Sequence, residues 1–338
     1  MIKPGRRLED TIPVDDVWPM QNKVSWSERD QIANGFAQRT NMLQPNPFTG
    51  RRHPEQVAKL SGEGLVPLGT RADSQQCRDI LDYFTATPCY SAHVPVYSDN
   101  IARPVSEVAE GTSSYGSYTL EQNLCAPHIP ELILNPDVLD IAGAYLGCIP
   151  TVYSINTFWT FPRPKRGGTH EFHRDEDDFR FIAVFYYWTD VEKGEGEFYF
   201  ARNSHKIDGV NAALGKPELK FSGSQATQAM DAEIFRRIGT GRGGNGYGYD
   251  PLYETVFKDD LICITGPAGT AVAVDAFGIH KGTVPASRPR LCTWIRYGFF
   301  ANETYHVDKT KPAPRALVEG RIPREDWSNY AMRLLVTD

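Results

Sequence analysis

The sequence predicts a mainly β protein with flanking helices, its β part folded as a jelly roll. Three observations predict this. From Thr151 onward the chain is a succession of short runs rich in β-branched and aromatic residues, separated by turns that carry Gly and Pro. Before that point the longer periodic segments have helical spacing and helix-ending signals. Two residues of metal-ligand type, His173 and Asp175, stand two apart in an extended stretch, and a third, His280, follows an apolar strand far downstream. A barrel of two sheets brings such distant strand ends to one open mouth.

The elements follow in order. Residues 1–60 are rich in Pro, Asn and charge, with one helix-like stretch over 27–40. The segment 74–86 reads as an amphipathic helix with Ser74 as its N-cap. Residues 121–134 are mixed, and Asp137 to Leu146 is a helix ended by Gly147. The β part opens with a strand over 152–160. A second over 179–191 is so continuously apolar and aromatic that both of its faces should be buried. A Gly-rich turn at 193–197 leads to the short strand Phe198 to Ala201, which Asn203-Ser204-His205-Lys206 ends. Much later Gly266-Pro267-Ala268-Gly269-Thr270 opens the strand 271–275 that delivers His280, and after Arg288-Pro289-Arg290 a strand over 291–298 closes the pattern. No internal repeat is visible. The expected division is one domain over 1–338, with a mostly helical part (1–150) packed on a core that carries the site (151–300) and a C-terminal extension (301–338).

Bulk properties exclude several classes. A net charge of −6 argues against a nucleic-acid binder, which needs a basic footprint. Apolar runs such as 181–188 are far shorter than the ~20 residues of a membrane span, and no apolar stretch of the secretory type follows the opening residues. The six cysteines form no C-x-x-C pair and are widely spread, as expected of free thiols in a reducing compartment. A cytoplasmic protein without nucleic-acid or membrane partners is expected.

The chemistry is carried by His173-Arg174-Asp175 and His280. On an extended strand alternate side chains point the same way, so His173 and Asp175 share a face and Arg174 points away. Two such ligands and one distant histidine make a 2-His-1-carboxylate facial triad, which holds Fe(II) on one side and leaves positions open for O₂ chemistry. A structural zinc site would be closed by a fourth ligand. The competing readings are a chance H-x-D in a polar loop and, for His280, a core histidine bonded to backbone. His170 is three residues from His173, so extended chain turns it to the opposite face as a loop histidine. The acidic run Glu176-Asp177-Asp178 reads as solvated turn, with Asp177 sharing parity with Asp175. Gly239 to Gly244 formally matches G-x-G-x-x-G, but the Asn-Gly-Tyr-Gly-Tyr-Asp-Pro run after it cannot start a helix, which rules out a dinucleotide fingerprint. The stretch 239–250 reads instead as a loop, a candidate lid over substrate.

The ordered series H-x-D, a strand ending in Thr189-Asp190-Val191, a turn before Ser204-His205-Lys206, Gly-Pro-Ala-Gly-Thr before His280-x-Gly, and Arg288-Pro289-Arg290 resembles the phytanoyl-CoA dioxygenase superfamily of Fe(II)/2-oxoglutarate oxygenases. The resemblance covers roughly residues 138–300. The chain departs from the pattern at Arg202-Asn203, where Pro-Gly is usual, and at Lys281-Gly282, where Gly-Ser often follows the distal histidine. The resemblance implies a double-stranded β-helix, the cupin-type jelly roll. It also implies a dioxygenase that hydroxylates an unactivated C–H of a small-molecule metabolite and releases succinate and CO₂. Iron ligands would be His173, Asp175 and His280, and the cosubstrates 2-oxoglutarate and O₂. Arg290, the second arginine of R-P-R, would clamp the far carboxylate of 2-oxoglutarate, with Arg288 and then Arg296 as the alternatives. Asn156 would hold the cosubstrate, and Thr283 would replace the missing serine. His205 would organise its loop without touching metal.

Related chemistry stays open at this point. The same iron centre can desaturate, epimerise or cyclise, and a non-redox cupin-type metal enzyme would use the same ligands. A chloride-binding halogenase is disfavoured by the presence of Asp175. Trp159, Phe172, Tyr187, Tyr199, Tyr247 and Tyr249 are the aromatic residues expected near an apolar or partly aromatic substrate.

Overall fold

In a computed structural model the described residues are 26–163, 168–175, 177–215, 250–299 and 312–338. The N-terminal part begins with helix α1 (Trp26–Leu43), whose buried residues Arg29, Ala33, Phe36, Ala37 and Thr40 recur at helical spacing on one face. Phe36 stacks on Phe179 and Phe299 at ring-centroid distances of 6.0 and 5.8 Å, which lays α1 against the β core. Helix α2 (Pro54–Glu63) starts on proline and ends at Gly64 with φ +84°, and a Cβ there would lie 2.5 Å from Nδ1 of His205. Only glycine satisfies both conditions.

Strand β1 (Leu65–Thr70) leads to helix α3 (Ser74–Ala86), capped by Asp73 in a capping box with Gln76. The expected cap was Ser74, one residue later; Asp73 wins because its carboxylate accepts from two backbone N–H groups, those of Gln75 and Gln76. Short strands β2 (Cys89–Tyr90), β3 (Ala102–Arg103) and β4 (Tyr115–Ser117) and short helices α4 (Val105–Glu110), α5 (Leu120–Cys125) and α6 (Ile129–Ile133) follow. Helix α7 (Pro136–Leu146) has proline in its first turn, an Asn135 cap and Gly147 at φ +78° as its stop.

The β core comprises β5 (Thr151–Thr160), β6 (Ile182–Tyr187), β7 (Phe198–Ala201), β8 (Leu261–Ile264), β9 (Thr270–Val274), β10 (His280–Gly282) and β11 (Arg290–Gly298), with α8 (Ile207–Leu214) and α9 (Asp250–Val256) between β7 and β8. The major sheet has eight strands in the order β1-β9-β6-β11-β5-β4-β2-β3, and a second sheet has the order β10-β7-β8. The N-terminal part thus supplies strands to both edges of the major sheet as well as helices. A final parallel pair, β12 (Ala313–Pro314) and β13 (Val336–Thr337), flanks helix α10 (Asp326–Met332).

Alternation along the central strands builds two cores. Ile182, Val184 and Tyr186 of β6, with Leu291, Ile295 and Tyr297 of β11, face a cluster that includes helix residues Phe36, Leu60, Phe84 and Leu139. The intervening Ala183, Tyr187, Cys292 and Trp294 face the second sheet, packing with Phe198 and Phe200. This is the jelly-roll arrangement with helices on the outer face of one sheet. Among the described residues no helix is long and apolar enough to cross a membrane.

Candidate metal centre

Backbone pairing sets the two ligand segments side by side. The His173 N–H donates to the His280 carbonyl at 2.9 Å, and the His280 N–H returns a bond to His173 at 2.8 Å. The Asp175 N–H donates to Ala276 at 2.8 Å, so the H-x-D segment extends the second sheet beyond β10. One ligand atom from each of His173, Asp175 and His280 lies within 4.8 Å of the other two. Nε2 of His173 is 3.8 Å from Oδ1 of Asp175, and Nε2 of His280 is 3.9 Å from Oδ2.

The tautomers are fixed locally. Nδ1 of His173 meets the carbonyl of Glu171 at 2.8 Å, and Nδ1 of His280 meets that of Gly278 at 2.9 Å. A carbonyl only accepts, so each Nδ1 carries the hydrogen and each Nε2 offers its lone pair to the shared centre. Burial, and then the neighbouring His173, push the His280 pKa down to about 4, which keeps this imidazole neutral at pH 7. Two imidazole nitrogens and one carboxylate on one side of an open space fit a divalent cation that keeps coordination positions for other ligands.

Behind Asp175 stands Arg296, whose Nη2 donates to Asp175 Oδ2 at 2.7 Å. Its Nη1 donates to Asp177, which also accepts the Tyr153 hydroxyl at 3.1 Å. Asp177 and Asp178 are wholly buried, which corrects the expectation of a solvated acidic turn. They are held inside because each accepts bonds from buried donors, Asp178 from the backbone N–H of Phe179 and Phe299, both at 2.7 Å.

Arg290 is buried at the first position of β11 and lines the same pocket as the triad. Its Nη2 donates to the Thr160 hydroxyl at 2.9 Å and its Nη1 to the Gly196 carbonyl. Nε has no hydrogen-bond partner, and no carboxylate of a described residue pairs with this guanidinium. A Cβ at Gly282, also on the pocket wall, would sit 3.7 Å from Nη2, so the glycine leaves open space over the cation. Arg288 is instead on the surface, paired with Glu192 at 3.4 Å with both side chains more than half exposed.

Other expected residues lie elsewhere. Asn156 is buried on β5, but its Nδ2 donates to the His93 carbonyl at 2.9 Å and it does not line the pocket. Thr283 donates to Glu197 Oε2 at 2.8 Å, outside the lining. The hydroxyl beside Arg290 comes from Thr160. His205 lies away from the triad, within 3.4 Å of the Ser61 carbonyl. Of the expected aromatic residues Tyr187 lines the pocket, whereas Trp159 belongs to the helix-facing core and Phe172 and Tyr199 pack in a third cluster. Tyr247, Tyr249 and the glycine-rich stretch 239–249 lie outside the described residues.

The pocket also contains residues that local sequence patterns do not flag. His170 sits in a short 3₁₀ turn (Gly168–His170), not in extended chain, so it reaches the pocket and stacks on Tyr115 at 4.8 Å. The Tyr115 hydroxyl meets that of Thr169 at 2.7 Å. His93, carried on the loop between β2 and β3, completes this wall 4.8 Å from the Tyr115 ring, and burial pushes its pKa down to about 3. No periodicity marks these residues, because they come from a loop, a 3₁₀ turn and the three-residue strand β4, which only the fold brings together.

Among solved structures the chain is similar to HygX from Streptomyces hygroscopicus with nickel and 2-oxoglutarate bound (13% identity, TM-score 0.45, covering 72% of this chain and 86% of that one). It is also similar to EctD from S. alaskensis in its apoform (14% identity, TM-score 0.45, 75% and 78% covered). A third similar structure is the non-heme alpha ketoglutarate dependent epimerase SnoN from nogalamycin biosynthesis (14% identity, TM-score 0.44, 72% and 82% covered). No family model matches the sequence, and no curated protein matches it.

Proposed function

We propose that this protein is an Fe(II)- and 2-oxoglutarate-dependent dioxygenase that hydroxylates an unactivated C–H of a small-molecule metabolite, with succinate and CO₂ as co-products. One observation carries the reading: a triad of His173, Asp175 and His280 shares its pocket with a buried arginine that has no carboxylate partner among the described residues. A buried guanidinium without an anion is costly by several kcal/mol, roughly, so the site is built to receive one. A dicarboxylate that meets a metal at one end and Arg290 at the other completes both halves. A non-redox metal enzyme would use the second half only for an anionic substrate, and would turn over without O₂ or a keto acid.

Each residue then has a task. His173, Asp175 and His280 hold the iron. Arg290 takes the far carboxylate through its two-pronged fork, with the Thr160 hydroxyl beside it and Gly282 leaving the room. When bound, ferrous iron supplies O₂ activation coupled to loss of CO₂ from 2-oxoglutarate. Phe158, Phe185, Tyr187, Phe198 and Trp294 line the pocket with rings that exclude water, which protects a reactive centre from wasteful turnover. His93, Tyr115 and His170 face the substrate side, with Asn156 anchoring the loop that carries His93. Thr283 donates to Glu197 outside the pocket lining and has a bracing task. Substrate placement against that wall decides between hydroxylation and desaturation, epimerisation or cyclisation by the same centre. The six cysteines are free thiols, as a cytoplasmic enzyme requires.

The test is single replacement of each ligand. His173→Ala, Asp175→Ala and His280→Ala are expected to abolish iron binding and 2-oxoglutarate consumption while the far-ultraviolet circular dichroism stays native. Full iron content and activity in any one of them removes that residue from the centre, and full turnover with zinc and no keto acid removes the oxygenase reading.

A further inference from the structure

We propose that Arg296 is a positioning residue of the metal centre, holding the Asp175 carboxylate through Oδ2 in one orientation between the two histidines. This inference rests on the reading of the triad as a metal site. Arg296 Nη2 donates to Asp175 Oδ2 at 2.7 Å, while Oδ1 lies 3.8 Å from His173 Nε2 and Oδ2 3.9 Å from His280 Nε2. The guanidinium is itself immobilised: Nη1 is bound to Asp177, and its carbon lies 4.1 Å over the Trp294 ring. Asp177 is in turn held by the Tyr153 hydroxyl at 3.1 Å. Register and alternation on β11 put Arg290, Cys292, Trp294 and Arg296 on the face that lines the pocket.

An unrestrained carboxylate can bind a divalent ion through one oxygen or two. A charge-assisted bond to one oxygen is roughly twice as strong as a neutral one; it occupies one of that oxygen's two lone pairs and fixes the plane of the carboxylate. A metal would then meet a carboxylate whose orientation is set before it arrives. Asp177 also cancels the charge of Arg296, so the brace adds no net positive charge beside the metal.

The charge-neutral double variant Arg296→Met/Asp177→Asn separates positioning from electrostatics, because it removes one charge of each sign and keeps an acceptor for Tyr153. Co(II) is the probe, since its visible bands report the number of ligands and its binding does not depend on turnover. The double variant is expected to bind Co(II) at least about tenfold more weakly than the parent and to change the band intensity. Arg296→Lys keeps the charge but cannot span both carboxylates, so an intermediate loss is expected. Should the double variant not fold, Arg296→Lys alone decides. A purely structural ion pair would lower the melting temperature and leave Co(II) affinity within twofold and the spectrum unchanged; that result overturns the proposal. Parent protein that binds Co(II) no more tightly than His173→Ala overturns the metal-site reading, and this inference with it.

Discussion

The side chain of Arg290 illustrates how much a single residue can determine in this fold. It stands on the pocket-facing side of β11, buried, satisfied by one hydroxyl and one carbonyl and short of an anion. If it binds the far carboxylate of 2-oxoglutarate, Arg290→Ala raises the concentration of 2-oxoglutarate needed for half-maximal turnover by about two orders of magnitude, since a lost charge-assisted fork is worth roughly 2–3 kcal/mol. Arg290→Lys restores only part of this, because an ammonium is a point charge without the planar fork. Arg288→Ala changes it little, as expected of an exposed ion pair. The reverse ranking in a 2-oxoglutarate titration would move the clamp to Arg288. Arg290 was legible from Arg288-Pro289-Arg290 and the strand that follows. The sequence offers Arg296 only as the last alternative for the clamp, although its even spacing from Arg290 puts both on one face; its partner Asp177 sits in an acidic run that sequence assigns to solvent and the fold buries.

At the scale of elements, β11 is the strand on which packing and chemistry meet. Its odd-numbered residues face the helices and its even-numbered ones the pocket. Stability and chemistry can therefore be separated by parity. Ile295, fully buried on the helix side, is expected to cost about 2–4 kcal/mol on replacement by Ala, with metal affinity unchanged in the folded protein. Urea denaturation paired with a Co(II) titration checks both halves; a loss below about 1 kcal/mol, or a changed metal affinity, would show that the two faces are not independent. This alternation is why β5, β6, β7, β9 and β11 could be placed from sequence within a few residues: apolar strands inside a sheet carry their own pattern even when short. Strands β1 to β4 and β8 could not, because two to six residues at or near sheet edges hold too little periodicity, and only pairing with neighbours defines them. Helix α7 was legible from its Gly147 stop and α3 from its amphipathic pattern, although the cap of α3 is Asp73 and not the expected Ser74.

For the molecule as a whole, the fold converts sequence distance into a centre a few ångströms across. His173 and His280 exchange backbone hydrogen bonds in the second sheet, Arg290 opens β11 in the major sheet, and His93 and Tyr115 of the N-terminal part line the same pocket. The ligand set was legible because order and spacing of chemical motifs survive in the chain. The wall of His93, Tyr115 and His170 was not, because it comes from three separate turns or short strands that only the tertiary structure joins. If the triad and Arg290 together receive iron and 2-oxoglutarate, an anaerobic visible-absorption titration will register it. Addition of 2-oxoglutarate to the Fe(II)-loaded protein should produce a weak charge-transfer band, as chelation of ferrous iron by a keto acid implies. The band should be missing in His280→Ala and appear only at far higher 2-oxoglutarate in Arg290→Ala. No band in the parent protein at saturating Fe(II) and 2-oxoglutarate would contradict the account.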